Sequence, residues 1–354
     1  MKYFLYFFLA TTIAIGALYM GMRVPSASKV FNNEKATEVT KVAPALRREV
    51  SIIAFGDIML DRNVRKLMGE EGGMYPFSNI TELFPDNDIV YANLEGPITP
   101  FPSKTIDFRN KTLQFTFATT TAPLLKQVGF TLLGLANNHT DNFGDAGLTS
   151  TKQLLIDNGL DYFGDPSNAV ELSTIKEVNG ISVGFVGFHE FGSKEYTKVF
   201  DEIKRLDSLV DFLIVTPHWG VEYNTSFTKQ QQTYARAFID AGADLVLGAH
   251  PHVIEPIEIY KDKVIFYSLG NFIFDQDFSY NTMHGLAVHI ALNPERVEYS
   301  LLPLALAKAQ ASLTPQADYE KIIGTLSKTA VASVEIQEGI KTGAFSLPFS
   351  VQER

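Results

Sequence analysis

The chain has 354 residues, 45% of them hydrophobic and 20% charged, which is enough material for one large domain or two small ones around a sizeable core. A net charge of −10 argues against nucleic acid as a partner, because phosphate backbones are gripped by basic surfaces. The absence of cysteine excludes disulfides, iron–sulfur clusters, thiol nucleophiles and cysteine-based zinc sites.

Phe4 to Met22 is uncharged and apolar, and meets the ~18–20 residues that a bilayer span requires. Lys2 precedes it and Arg23 follows, so the flanking charges leave its orientation undecided. Residues 1–28 read as an uncleaved N-terminal anchor with a single pass, or as a signal peptide cut near Ser26-Ala27-Ser28. Either reading places the body outside the cytoplasm, anchored at the cell membrane or secreted. Residues 29–48 are polar and mixed in charge, with Pro44, and read as a linker.

The body, residues 49–330, opens with a strand pattern from Glu49 to Phe55 that Gly56-Asp57 ends. Ile58-Met59-Leu60-Asp61-Arg62 then leads into a helix. A second strand, Asp88–Ala92, ends at Asn93-Leu94-Glu95-Gly96, and a third, Thr131–Ala136, ends at Asn137-Asn138-His139. A helix from about Gly147 to Asn158 is stopped by Gly159. Ile175–Val178 and Ile181–Phe188 flank Asn179-Gly180, the signature of a hairpin whose type I′ turn needs positive φ at both positions. Phe212–Thr216 is an apolar strand ending at Pro217-His218-Trp219-Gly220, with Glu222 close behind, and Thr228 caps a helix running to Ala241.

Leu245–Leu247 is a short buried strand. Gly248 follows, then two imidazoles, His250 and His252, with only Pro251 between them. Pro251 cannot donate to a ladder, so the strand ends there in a stiff turn. Ile257–Tyr260 and Val264–Tyr267 form a hairpin about Lys261-Asp262, leading to Ser268-Leu269-Gly270-Asn271. His284–Leu292 is another strand, and Thr314-Pro315 opens a helix through about Lys328. Residues 331–354 show little pattern and are expected to form a tail.

One event recurs. Strand ends carry Asp57; Asn93 and Glu95; Asn137, Asn138 and His139; His218; and His250 with His252, and a sixth strand ends at Asn271. Open α/β sheets gather such ends at one edge, where ligands bind. Carboxylate, amide oxygen and imidazole without soft sulfur suit divalent Mn, Fe, Zn or Mg. Each residue also has an ordinary alternative: Asp57 as a helix cap, Glu95 as a solvated charge, His218 as a packed histidine, Asn93 and Asn271 as turn residues. Asn137 reads as loop support, Glu222 as a partner orienting an imidazole or as surface, and His189 as a neighbour of the site.

The ordered motifs GDIMLDR, ANLEG, LANNHTDNFG, PHWGVEY, GAHPHV and SLGNF resemble the poly-γ-glutamate capsule-biosynthesis protein family of the CapA type, itself similar to calcineurin-like metallophosphoesterases. The resemblance covers roughly Ser51 to Asn271. It implies a four-layer α/β/β/α sandwich of the metallophosphoesterase type, with metal held by Asp57, Glu95, Asn138, His218, His250 and His252. Glu95 stands where those enzymes have a bridging aspartate, and His139 where they have the histidine that acts on the leaving group. Two positions depart: Met59 occupies the place of a ligand histidine, and Glu95 is one methylene longer than the usual aspartate. The implied function is metal-dependent hydrolysis of a phosphoester or an envelope polymer linkage. The alternative is a non-catalytic, membrane-tethered component that binds anionic capsule polymer beside other capsule-synthesis membrane proteins.

Overall fold

The computed structural model describes residues 49–105, 112–193 and 196–349. In chain order the first elements are β1 (Val50–Ile58), α1 (Arg62–Glu71), β2 (Ile89–Leu94), α2 (Thr121–Val128), β3 (Leu132–Gly134), α3 (Gly144–Asp157) and β4 (Asp161–Phe163). There follow β5 (Ser173–Val178), β6 (Ile181–His189), α4 (Tyr196–Asp207), β7 (Phe212–His218), α5 (Lys229–Asp240), β8 (Leu245–Leu247), β9 (Ile257–Tyr260) and β10 (Lys263–Phe266). The last are β11 (Asn271–Ile273), β12 (His284–Leu292), β13 (Arg296–Ala307), β14 (Gln310–Leu313), α6 (Gln316–Thr329), α7 (Val334–Lys341) and β15 (Ala344–Pro348).

The strands form two sheets. One is nine-stranded, ordered β14-β13-β12-β1-β2-β3-β4, with β11 added on β1 and β15 on β13. The other is six-stranded, ordered β5-β6-β7-β8-β10-β9. At the heart of each, β1 to β4 and β6, β7, β8 and β10 run parallel. Their side chains alternate between two buried faces, as a period of two requires. Ile52 and Ala54 of β1 share a core with Phe185 of β6, Ile214 of β7 and Leu247 of β8, so the sheets face each other. Ile53 and Phe55 point the other way, onto Val64 of α1, Leu125 of α2 and Leu155 of α3. On the far side, Phe188 and Val215 pack with Ile203 of α4 and Phe238 of α5. The order is therefore helix, sheet, sheet, helix.

Local chemistry explains the turns that frame this. Asn179 and Gly180 both have positive φ, as do Lys261 and Asp262, so both expected hairpins close as tight two-residue turns. Thr228 caps α5 in a reciprocal capping box with Gln231.

Three expectations change. β1 does not stop at Gly56 but runs to Ile58, because the Asp57 N–H donates to the Gly270 carbonyl (3.1 Å) as β11 joins alongside. Asn271 correspondingly opens a strand instead of closing one. The expected tail is part of the body as far as residue 349: β15 pairs with β13, and Ile340, Phe345 and Leu347 enter the core between the sheets. Among the described residues no helix is long and apolar enough to cross a membrane. The apolar stretch Phe4–Met22, its cleavage site and the linker lie outside the described residues.

Close backbone approach makes Gly248 indispensable. A Cβ there would lie 1.9 Å from the Tyr267 carbonyl oxygen. Gly248→Ala is expected to lower unfolding free energy by about 3 kcal/mol or more, the upper end of overpacking costs, in a denaturant melt. Gly69→Ala, whose Cβ would meet nothing within 4 Å on α1, is the control and is expected to be neutral or slightly stabilising.

Candidate metal centre

Both sheets feed one cluster. Asp57 sits at the end of β1 opposite Asn93 of β2, and Glu95 follows β2 directly. Asn137, Asn138 and His139 follow β3. From the other sheet, His218 is the last residue of β7, and the loop after β8 carries His250 and His252. That loop is pinned to its neighbour, with Ala249 N donating to Pro217 O (2.9 Å) and Trp219 N to Ala249 O (3.2 Å). It holds both histidines at positive φ, 96° and 59°, a region that L-residues with side chains seldom occupy and that clusters at functional sites.

Donor atoms converge at close range. His218 Nε2 lies 2.8 Å from Asn138 Oδ1 and 3.1 Å from His250 Nδ1. His252 Nδ1 donates to Asn271 Oδ1 (3.0 Å), and its Nε2 stands 3.7 Å from Glu95 Oε1. Asp57 Oδ1 accepts from Asn93 Nδ2 (2.8 Å), and Oδ2 accepts from the His250 N–H (3.2 Å). Within each of two sets the ligand atoms lie within 4.8 Å of one another: Asp57, Glu95 and His218 in one, and Glu222, His250 and His252 in the other.

The charge balance is unusual. Asp57 and Glu95 are both buried, and neither Glu95 oxygen has a hydrogen-bond partner. Burial pushes the Glu95 carboxyl well above its ordinary value; His252 opposes this and Asp57 adds to it. Burial alone would lower His252, yet Glu95 and Asp57 lift it to about 9. His250 is pushed down to about 3 by burial and by His252, and burial holds His218 well below its usual range. A buried carboxylate without a donor is costly unless a cation meets it, and neutral imidazoles are the form that ligates metal. The donors present therefore fit one or two divalent ions.

Supporting residues lock this set. Asn93 connects Asp57 to His218, whose Nδ1 lies 3.2 Å from Asn93 Nδ2. Asn137 supports its loop as expected: its Oδ1 accepts from the His139 and Thr140 N–H groups, and its Nδ2 donates to Leu94 O. Asn271 orients His252. Glu222 is exposed but brings a carboxylate oxygen to the His250–His252 side. His139 is 9% exposed; its Nδ1 donates to Asn142 Oδ1 (3.1 Å), its ring packs 4.3 Å from Phe115, and its Nε2 is 3.9 Å from Glu95. Its pKa is lowered by burial, with Asn142 opposing.

Met59 is turned away. It is fully buried among the residues under α1 to α3, and its sulfur accepts the Asp61 N–H at 3.2 Å. His189 is near the site: its ring lies 5.9 Å from that of His218, its Nδ1 donates to Pro166 O, and its Nε2 has no partner. Residues the sequence reading did not single out include Asn142 and Phe115, which fix His139, and Phe191, which packs 4.7 Å from His250. Asn142 lies inside the LANNHTDNFG motif, three residues after His139, and that spacing was its only signal.

Buried acids, amides and imidazoles gathered at strand ends define a two-sheet α/β protein with a candidate divalent-metal centre. Sequence comparison adds the family: residues 51–276 match the family described as bacterial capsule synthesis protein PGA_cap, and the chain belongs to it. It is 33% identical over 264 residues to the capsule biosynthesis protein CapA of Bacillus anthracis, covering 67% of this chain and 64% of that one. It is 34% identical over 241 residues to the PGA biosynthesis protein CapA of Bacillus subtilis (strain 168), covering 63% of each. The matches thus span somewhat under two thirds of those relatives' own lengths. Among solved structures, a hypothetical protein from Thermus thermophilus aligns with a TM-score of 0.40 at 15% identity, over 75% of this chain and 98% of that one. Purple acid phosphatase PPD1 from yellow lupin seeds aligns with a TM-score of 0.38 at 10% identity, over 73% of this chain and 52% of that one.

Proposed function

We propose that this protein is a metal-dependent hydrolase of capsule biosynthesis that cleaves a phosphoester or related envelope polymer linkage, with its body outside the cytoplasmic membrane. The observation that carries the reading is Glu95, a buried carboxylate without a hydrogen-bond donor, beside Asp57 and facing three imidazoles. Such a set makes chemical sense around a divalent ion. Asp57, Glu95, Asn138, His218, His250 and His252 would hold it, with Glu222 close to the His250–His252 pair. A metal bound there would polarise the scissile group and lower the pKa of water.

The chain's own residues supply the remainder. His139 presents Nε2 beside Glu95 while Asn142 fixes Nδ1, so its ring is oriented to give a proton to a leaving oxygen. Asn271 and Asn93 keep the His252 and His218 rings in place. The names carried by the Bacillus relatives support capsule polymer as the setting. The test is metal analysis after purification without chelators, paired with hydrolysis of an activated phosphodiester. Stoichiometric Mn, Fe, Zn or Mg and chelator-sensitive turnover are expected. Metal without turnover, together with binding of anionic capsule polymer, selects a tethered binding protein instead. The burial of Met59 away from the centre favours that second reading, because it removes one ligand.

Anchoring rests on Phe4–Met22. The full chain is expected in the membrane fraction, extracted by detergent and not by salt. Recovery from the soluble cytosolic fraction overturns this, and a soluble secreted form starting near Lys29 selects signal cleavage.

A further inference from the structure

We infer that Arg62 forms an anion subsite beside the metal centre, binding a non-bridging phosphoryl oxygen of the substrate while Asp275 holds its guanidinium in position. The inference rests on the hydrolase reading above and narrows it to substrates presenting a phosphoryl anion.

Parallel strands create the juxtaposition. β1 and β11 lie side by side with Asp57 opposite Asn271. Beyond that level the two chains leave the sheet together, and Arg62 Nη2 meets Asp275 Oδ1 at 3.1 Å. Asp275 Oδ2 also accepts the Asn63 N–H (3.1 Å), which fastens the start of α1 to the same carboxylate. The Arg62 guanidinium carbon lies 5.9 Å from the centroid of the Phe115 ring, and that ring packs against His139. Arg62 therefore shares a wall with the proposed proton donor. Its charge also reaches inward, opposing the burial that raises both Glu95 and Tyr223.

The residue occupies this place against local preference. Its φ is +55°, a left-handed conformation that an arginine rarely adopts. It is the first residue of α1, where a cation opposes the helix dipole. Helix stability would favour neither feature, and strained positions of this kind gather at ligand clamps. Its side chain is 31% exposed, so a ligand can reach it, whereas Asp275 is 7% exposed and serves as the fixed end.

Electrostatics supply the need. Asp57 and Glu95 belong to one ligand set and Glu222 to the other, in an acidic chain. An incoming phosphoryl anion meets that negative charge wherever metal leaves it uncompensated. A guanidinium offers five donors in a planar fork that matches phosphoryl oxygens, and one nitrogen suffices for Asp275.

The experiment titrates inorganic phosphate into the Mn²⁺-loaded full chain by calorimetry, with metal content measured on the same samples. Arg62→Gln is expected to weaken phosphate binding by about ten- to a hundred-fold with metal content unchanged. Arg62→Lys, which keeps charge but not the fork, should lose less. Asp275→Asn should weaken binding by a few-fold through loss of positioning. If Arg62 served only as a partner for Asp275, Arg62→Gln would alter thermal stability and leave phosphate affinity within about two-fold of wild type, and the inference falls. Wild type that takes up metal but no phosphate also overturns the subsite while leaving the metal centre standing. Wild type that takes up no metal overturns both.

Discussion

The double variant His250→Ala/His252→Ala is expected to hold no metal after purification under conditions where wild type holds at least one equivalent. The two residues come from one loop, share a ligand set with Glu222, and reach different neighbours. His250 Nδ1 stands 3.1 Å from His218 Nε2, and His252 Nε2 3.7 Å from Glu95. Removing both leaves Asp57, Glu95 and His218 without the imidazoles that face them. Elemental analysis reads the outcome directly. Stability supplies a second readout: metal at a thousand times its dissociation constant adds ~4 kcal/mol to the folded state, so wild type should melt higher with added Mn²⁺ and the variant should not. Metal binding should also release a proton. In the metal-free protein His252 titrates at about 9 and is charged at pH 7, held so by Glu95 and Asp57. A metal must displace that proton, and any proton held by the raised Glu95 carboxyl, so affinity should rise with pH up to about 9 and level off above the highest of these pKa values. His250, pushed down to about 3, is already neutral and adds no such slope. Equal metal content in wild type and variant would place the site elsewhere. His250→Gln/His252→Gln keeps the volume and guards against a folding defect.

What the sequence revealed about this centre, and what it hid, follows from how far each interaction reaches. Local chemistry was legible. Asn179-Gly180 and Lys261-Asp262 turn where backbone preference says they should, Thr228 caps α5, and β8 and β12 have the boundaries that their apolar runs suggest. The site loops were legible too, because polar residues at strand ends stand out against apolar strands. Long-range partners were hidden. Nothing local to Gly56 shows that it is a point of close approach, where a Cβ would lie 1.8 Å from Gly270 O, and not a strand break. β13 was not anticipated, and Pro303 lies inside it. The proline is tolerated where β13 changes outer partner, after β15 pairs with Arg296–Ser300 and before β14 pairs with Leu304–Ala307. The pairing of Arg62 with Asp275 depends on β11 lying against β1, which no spacing in the chain announces.

His139→Ala is expected to separate chemistry from binding. Its Nδ1 is committed to Asn142 and its Nε2 is 3.9 Å from Glu95, so the side chain borders the cluster without closing it. Metal content should therefore be unchanged, in contrast to the His250→Ala/His252→Ala pair. The rate on a phosphoester with a poor leaving group should fall by ~10²–10⁴, the usual contribution of a positioned general acid, or roughly 3–5 kcal/mol of barrier. A substrate whose leaving group is already acidic needs no proton and should lose far less. The pH profile gives the sign. Burial holds His139 below the ordinary histidine value, so its charged form predominates only at acid pH. Wild-type rates on the poor leaving group should fall as pH rises through that depressed pKa, and the His139→Ala profile should lose this limb. Asn142→Ala, which frees Nδ1 and leaves the ring, should give a smaller loss of the same kind. Full activity of His139→Ala on a poor leaving group would remove His139 from the chemistry while leaving the metal ligands untouched.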